Sequence, residues 1–279
     1  MKKVLLKVLL IMCFLSVFSV PVEADVGPKP SVTITIKQAP EGPYYVTLLG
    51  THAFGPWSPI EEGSDPGIDD AEELAAYQSF AQYKNGEGYF FLGNMSKKME
   101  GNDEFAWTYY PPDPFKIAIY SVKDGKLLVS DAYERNAFYS YFDVSCSNDG
   151  LIVKEETHFD RQLINLLIRV IATIAVEYVI AYIFGYREKK ERRAIIIANV
   201  ITQVLLNAFL IFVDYYGGLL MWMIMFLLGE LAVILIEFII YLFTLKSHSK
   251  ARAFAYSLMA NLISAALTFA LEIISMNAY

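Results

Sequence analysis

Glu177, Glu237, Asn199 and Asn261 lie inside long apolar runs, where an ionisable or amide side chain is costly to bury and normally faces a partner, water or a functional centre. Their order repeats. Glu177 is followed by Tyr182, a basic loop, Asn199 and Thr202, and Glu237 by Tyr241, a second basic loop, Asn261 and Ser264. Thr202 and Ser264 each follow their Asn by three positions, which sets each pair on one helical face. The spacing from Glu to Asn is 22 residues in the first half and 24 in the second, so the echo is a possible internal repeat. Two carboxyls held close together in a poor solvent repel unless one carries a proton. The chemistry these six residues suggest is therefore binding and release of a proton or cation. The plainer alternative is interhelical hydrogen bonding, at about 0.6–2 kcal/mol per contact.

A second candidate pairing is Arg169 with Glu230, each fifteen residues before the end of its run at Phe184 and Leu245. An ion pair between them is expected in the outer half of the membrane. No catalytic residue, metal ligand or cofactor site is assigned. The three histidines, His52, His158 and His248, are scattered, and the chain lacks both the paired His of a zinc helix and the Gly-flanked Ser of a nucleophile elbow.

The elements that must position these groups are four apolar runs, at 163–184, 194–213, 219–245 and 253–275. Each is long enough to cross about 30 Å of hydrocarbon as a helix. The expectation is a four-span α-helical bundle at 161–279, its halves related by a parallel two-fold repeat. Basic residues cluster at Arg187 to Arg193 and at Lys246, Lys250 and Arg252, whereas Asp214 to Gly218 carries none. The positive-inside rule then places both basic loops in the cytoplasm and the C-terminus outside. Counting back from Phe184 and Leu245, Glu177 and Glu237 lie about 10–12 Å deep at ~1.5 Å per residue.

Residues 1–24 have the order of a secretory signal: Lys2, Lys3 and Lys7, an apolar stretch from Val8 to Val20, then Val22-Glu23-Ala24. Residues 25–160 read as an exported β-rich, sandwich-like domain with one helix. Ser31 to Lys37 and Pro43 to Leu49 are rich in β-branched and aromatic residues, Phe115, Ile117 and Ile119 alternate with other types, and Ala137 to Val144 alternates too. Asp124-Gly125 predicts a hairpin turn returning through Lys126 to Ser130. Asp70 and Glu73 predict a helix start, over about 70–83. Glu61, Glu62, Asp65 and Asp69 lack the alternation of a calcium loop, and are read as a solvated acidic loop. Trp107, Tyr109 and Tyr110 are candidates for a ligand platform, with burial in the core as the competing role.

From Asp25 to Asp160 there are 22 Asp and Glu against 10 Lys and Arg, a balance of −12. Nucleic acid is an improbable partner for such a surface. The expected partners are the lipid bilayer and another membrane subunit or a second copy. Cys13 and Cys146 are the only cysteines; if the signal is removed, one thiol remains and no internal disulfide can form.

The segments VGPKPSVTI, WTYYPPDPFKIAIY, YERNAFYSYF, EYVIAYIFGYREKK and NVITQVLLN together resemble an uncharacterised family of bacterial membrane proteins with an exported β domain followed by four spans. The likeness covers most of the mature chain and implies that layout without implying an activity. Three functions are then in contention. The leading one is a non-enzymatic cell-envelope protein whose exported domain binds or senses a ligand, anchored by a helical module that contacts other membrane subunits. The alternative is a small proton- or cation-coupled transporter module. The third is an envelope enzyme using Asp or Glu in the exported domain.

Overall fold

The computed structural model describes residues 28–53, 55–60, 66–84, 86–147, 150–157 and 159–277. The signal-peptide expectation and the acidic residues Glu61, Glu62 and Asp65 lie outside the described residues.

The N-terminal half is built from two sheets and one helix. One sheet has the order β5 (Glu104–Trp107), β1 (Ser31–Gln38), β8 (Tyr139–Ser147), β9 (Gly150–Glu156). The other has the order β3 (Phe90–Met95), β2 (Pro43–Gly50), β6 (Phe115–Ser121), β7 (Lys126–Tyr133), with β4 (Met99–Glu100) also paired to β2. β1 and β8 run parallel, whereas β2, β6 and β7 form antiparallel pairs. Between the sheets, Ile34, Ile36, Trp107 and Phe142 meet Tyr44, Val46, Leu48 and Ile117.

Helix α1 (Ala71–Ala81) covers the other face of the second sheet, where Phe80 and Ala76 pack with Tyr45, Leu49 and Ala118. It begins where the sequence predicts. The Asp70 carboxylate accepts from the backbone N–H of Glu72 and Glu73, both at 2.9 Å, a satisfied N-cap. Because α1 roofs this sheet, β6 is buried on both faces instead of one, as its alternation implied. Lys116, on the covered face, escapes burial of its charge by reaching Glu87 at 2.6 Å. The Asp124-Gly125 turn forms as expected, with Gly125 at φ 58° and Ser121 opposite Lys126.

The C-terminal half has three long apolar helices, α2 (Phe159–Ile183), α3 (Lys189–Thr244) and α4 (Lys250–Asn277), each long and apolar enough to cross a membrane. α3 is 56 residues long and leaves helical geometry at Gly218 (φ 68°, ψ −175°). There it folds back, so that its two arms run side by side: Thr202 meets Glu237, and Glu191 meets Lys246 and Ser247. A Cβ on Gly229 would lie 2.3 Å from Leu206, so the arms pack at closest approach there. Each long helix starts three to five residues before its apolar run, because the flanking polar and charged residues continue the helix.

The helices are apolar outside and polar inside. Ile171, Ile183, Leu205 and Phe243 are among the most exposed residues, while Glu177, Glu237, Asn199 and Asn261 are buried. That is the reverse of a helix bundle in water. The two halves touch at the fold-back: Phe138 N–H donates to the Tyr215 carbonyl at 2.8 Å, and the Phe138 ring sits where a Cβ on Gly218 would lie, 2.5 Å away.

Trp107 belongs to the inter-sheet core. It is 1% exposed, stacked edge-on against Trp57 at 5.4 Å, and its indole N–H shares the Tyr109 carbonyl with that of Trp57. The three candidate rings do not share one exposed face, and core burial holds for the first of them: Trp107 is inside, Tyr109 half-buried, and Tyr110 exposed, set perpendicular to Tyr109. Trp107→Ala is expected to destabilise the β domain by about 3–5 kcal/mol, whereas Tyr110→Ala changes stability by less than about 0.5 kcal/mol; chemical denaturation of the full chain followed by near-UV circular dichroism checks both. Burial also pushes the Cys146 thiol up to about 11. Since the thiolate is the nucleophile, alkylation of Cys146 is expected to stay slow at pH 8 and accelerate as pH rises toward that value, read by peptide mass spectrometry.

Candidate proton or cation centre

Each of the four helical segments delivers one side chain or more to a single buried layer. α2 brings Glu177; the first arm of α3 brings Asn199 and Thr202; its second arm brings Glu237 and Tyr241; α4 brings Asn261 and Ser264. All are at most 6% exposed. They are buried because each lies on the stripe of its helix that faces the other three, the outward stripes being Ile, Leu, Val and Phe.

Local hydrogen bonds repeat between the halves. Asn199 Nδ2 donates to the Ile195 carbonyl at 3.0 Å and Asn261 Nδ2 to the Ser257 carbonyl at 2.9 Å. Thr202 Oγ1 lies 3.3 Å from the Asn199 carbonyl and Ser264 Oγ 3.1 Å from that of Asn261. The carboxyls are then served crosswise. Thr202 Oγ1 donates to Glu237 Oε1 at 2.6 Å, and Ser264 Oγ to Glu177 Oε1 at 3.0 Å. All six residues expected from the sequence are therefore brought together.

The symmetry fails in one place. Glu237 Oε2 accepts from Asn261 Nδ2 at 2.8 Å and from the Tyr241 hydroxyl at 3.4 Å, so both of its oxygens are occupied. Glu177 Oε2 has no hydrogen-bond partner, nor do Asn199 Oδ1 and Asn261 Oδ1. The cause is visible in the chain: four residues after Glu237 stands Tyr241, but four after Glu177 stands Ala181. Tyr182, aligned with Tyr241 in the sequence repeat, is half-exposed instead and lies under Arg187, whose guanidinium is 4.7 Å from its ring centre. Both Asn amides are oriented by the carbonyls their Nδ2 groups serve, which leaves Oδ1 as a free acceptor in each.

The expected Arg169–Glu230 pair does not form. Arg169 instead forms an ion pair with Glu272 of α4, because α2 packs directly against α4 and Glu272 lies at the level of Arg169. Glu230 is 5% exposed and its Oε2 is without a partner. Two residues missed in the sequence join this inner face: Gln203 and Asn207, both 1% exposed, with Asn207 Nδ2 donating to the Gln203 carbonyl at 2.9 Å. The signal for them was present, since Asn199, Gln203 and Asn207 recur every four residues. Glu191 was also missed. Inside a run of basic residues, it accepts from the backbone N–H of Lys246 and Ser247, both at 2.8 Å, and from the Ser247 hydroxyl at 2.7 Å, tying the two basic loops together.

No known protein family, curated protein or solved structure matches this chain.

Chemically, the layer offers two carboxyls, two amide oxygens without donors and three hydroxyls, all buried. Such a site has room for added positive charge and none for added negative charge. Thr202→Val and Ser264→Ala each remove one donor from a buried carboxyl, and each is expected to lower stability in detergent by about 1–3 kcal/mol. Because Glu237 keeps Asn261 and Tyr241 as donors when Thr202 is changed, while Ser264 makes the one hydrogen bond to Glu177, the larger loss in thermal unfolding is expected for Ser264→Ala, and a larger loss for Thr202→Val would contradict that asymmetry.

Proposed function

We propose that this chain is a multi-pass membrane protein of the bacterial cell envelope whose helical module is a small proton- or cation-coupled unit centred on Glu177 and Glu237. The observation that carries this reading is the convergence of the two carboxyls, with Ser264, Thr202, Asn199 and Asn261, on one buried layer. In this reading the arms of α3 are separate crossings, so the chain spans four times. The basic ends, from Arg187 to Arg193 and from Lys246 to Arg252, face the cytoplasm by the positive-inside rule, and the β domain with the Gly218 fold-back lies outside.

A second reading keeps the helices as an anchor and gives the function to the β domain as a binding or sensing module. The contact that favours it is Phe138 seated on Gly218, because it joins that domain to the fold-back. The two readings separate on the isosteric changes Glu177→Gln and Glu237→Gln, which keep shape and remove charge. In purified full-length protein in liposomes, the first reading expects pH-dependent uptake of protons or cations that either change reduces at least tenfold. Uptake indistinguishable between wild type and both variants, with all three folded, would remove it in favour of the anchor.

A further inference from the structure

The charged residues at the basic end of the helices are not equivalent. Arg187 lies over the Tyr182 ring, Arg192 Nη1 donates to the Tyr178 hydroxyl at 2.7 Å, and Glu191 is turned inward to the N–H groups of Lys246 and Ser247. Those three are committed to the protein itself. Lys189, Lys190 and Arg193 make no hydrogen bond, ion pair or ring contact among the described residues.

These three cations are exposed and line one open groove of about 350 Å3, whose other lining residues are Ala194 and Ile197. Helical spacing brings them there: 189, 193 and 197 recur every four residues, with 190 and 194 beside them on the same side of α3. No acidic side chain lines the groove. Glu188 precedes the helix without capping it through its side chain, so the first N–H groups of α3 add partial positive charge at the same end.

From the groove toward the middle of the helix, the same side of α3 is apolar and faces outward. Ile197, Ile201 and Leu205 are 51%, 54% and 66% exposed. From the first of these to the last the axis advances about 12 Å at ~1.5 Å per residue, close to the depth of one leaflet of a hydrocarbon layer about 30 Å thick.

We propose that this groove binds the headgroup of an anionic phospholipid, with one acyl chain lying along Ile197, Ile201 and Leu205. The proposal rests on the reading of these helices as membrane crossings and is independent of whether the central carboxyls move ions. Both parts of the surface select this occupant. Three cations without a paired anion favour a phosphodiester whose charge is uncompensated, whereas a zwitterionic headgroup would bring a further positive charge into the cluster. Arg193 offers a planar fork to two phosphate oxygens, and the lysines add point charges beside it. A soluble anion would satisfy the cations and leave Ala194 and Ile197 uncovered. A lipid covers both.

The test uses full-length protein in dodecyl maltoside titrated with phosphatidylglycerol or phosphatidylcholine, with bound lipid counted by native mass spectrometry. Phosphatidylglycerol is expected to be retained and phosphatidylcholine to be lost. Lys190→Gln combined with Arg193→Gln is expected to weaken phosphatidylglycerol binding by about tenfold or more, and Ala194→Leu, which keeps every charge and fills the groove, to weaken it several-fold. Lys246→Gln combined with Lys250→Gln, which takes the same charge from the other basic loop, is expected to change it by less than about twofold. Equal losses in the two double variants overturn the site in favour of general attraction to the basic end, and equal retention of the two lipids overturns the anionic headgroup. Displacement of phosphatidylglycerol by inorganic phosphate, where chloride at the same ionic strength leaves it bound, overturns the lipid in favour of a soluble anion. A chain that stays folded and monodisperse without detergent overturns the membrane reading beneath the proposal.

Discussion

A carboxyl removed from water must be solvated by protein atoms, and the helical half of this molecule is arranged around that constraint. Its outward surface is Ile, Leu, Val and Phe, so polar side chains on these helices have only one direction in which to find partners. An isolated ionised group in such surroundings would cost many kcal/mol. Two carboxyls on neighbouring segments would cost more. Hydroxyls and amides therefore recur at fixed offsets on all four segments, and the crosswise bonds from Thr202 to Glu237 and Ser264 to Glu177 couple the arms of α3 to one another and α2 to α4. Burying an incompletely satisfied polar set is poor stability engineering. Three acceptors of this set, Glu177 Oε2, Asn199 Oδ1 and Asn261 Oδ1, stay open, so packing alone does not account for its composition.

The two halves of the chain are held by different forces. In the β domain the sheets share an aromatic and aliphatic core with α1 covering a second face, and its acidic surface remains in water. In the helical half, contacts between segments have little hydrophobic driving force if the surroundings are hydrocarbon, and close approach plus polar bonds must supply it. Gly229 against Leu206 and the buried Asn and Glu groups are those two ingredients.

Much of this arrangement was legible in the sequence where a local rule governs it. The Asp70 cap, the Asp124-Gly125 turn and the strands at Ser31, Pro43, Phe115 and Tyr139 follow from near-neighbour chemistry. Strands β3, β4, β5 and β9 were not expected: β4 and β5 are only two and four residues long, β3 is broken by Gly93 and β9 ends in charged residues, so each is defined by the neighbour it pairs with. β6 was expected to have one wet face, and nothing in its own residues reveals that α1 lies over it. In the helical half, the i, i+3 and i, i+4 spacings of Glu, Asn, Thr and Ser fixed which residues share a stripe, but not which stripe meets which. Hence the six central residues were grouped correctly while Arg169 was matched to Glu230 and not Glu272. Depth along a helix is readable from one chain segment; azimuth requires the packing of several. Tyr182 makes the same point on a smaller scale, since one residue of offset from Tyr241 turns its side chain by about 100° on a helix of 3.6 residues per turn, from the inner face to the outer.

The junction of the halves shows why a single glycine can organise a fold of this kind. At Gly218 the backbone takes φ 68°, which an L side chain adopts with difficulty, and the space a Cβ would fill is occupied by Phe138. Both conditions act on the same atom. The fold-back that lets Thr202 face Glu237 and the seat that receives the β domain are thus one structural event. Phe138 N–H also donates to the Tyr215 carbonyl just before the fold-back, so the strand entry is tied to the last turn of one arm of α3 and, through Gly218, to the start of the other. These arms carry Thr202 and Glu237, so the fold-back at Gly218 is what lets the central carboxyl meet its donor within one continuous element.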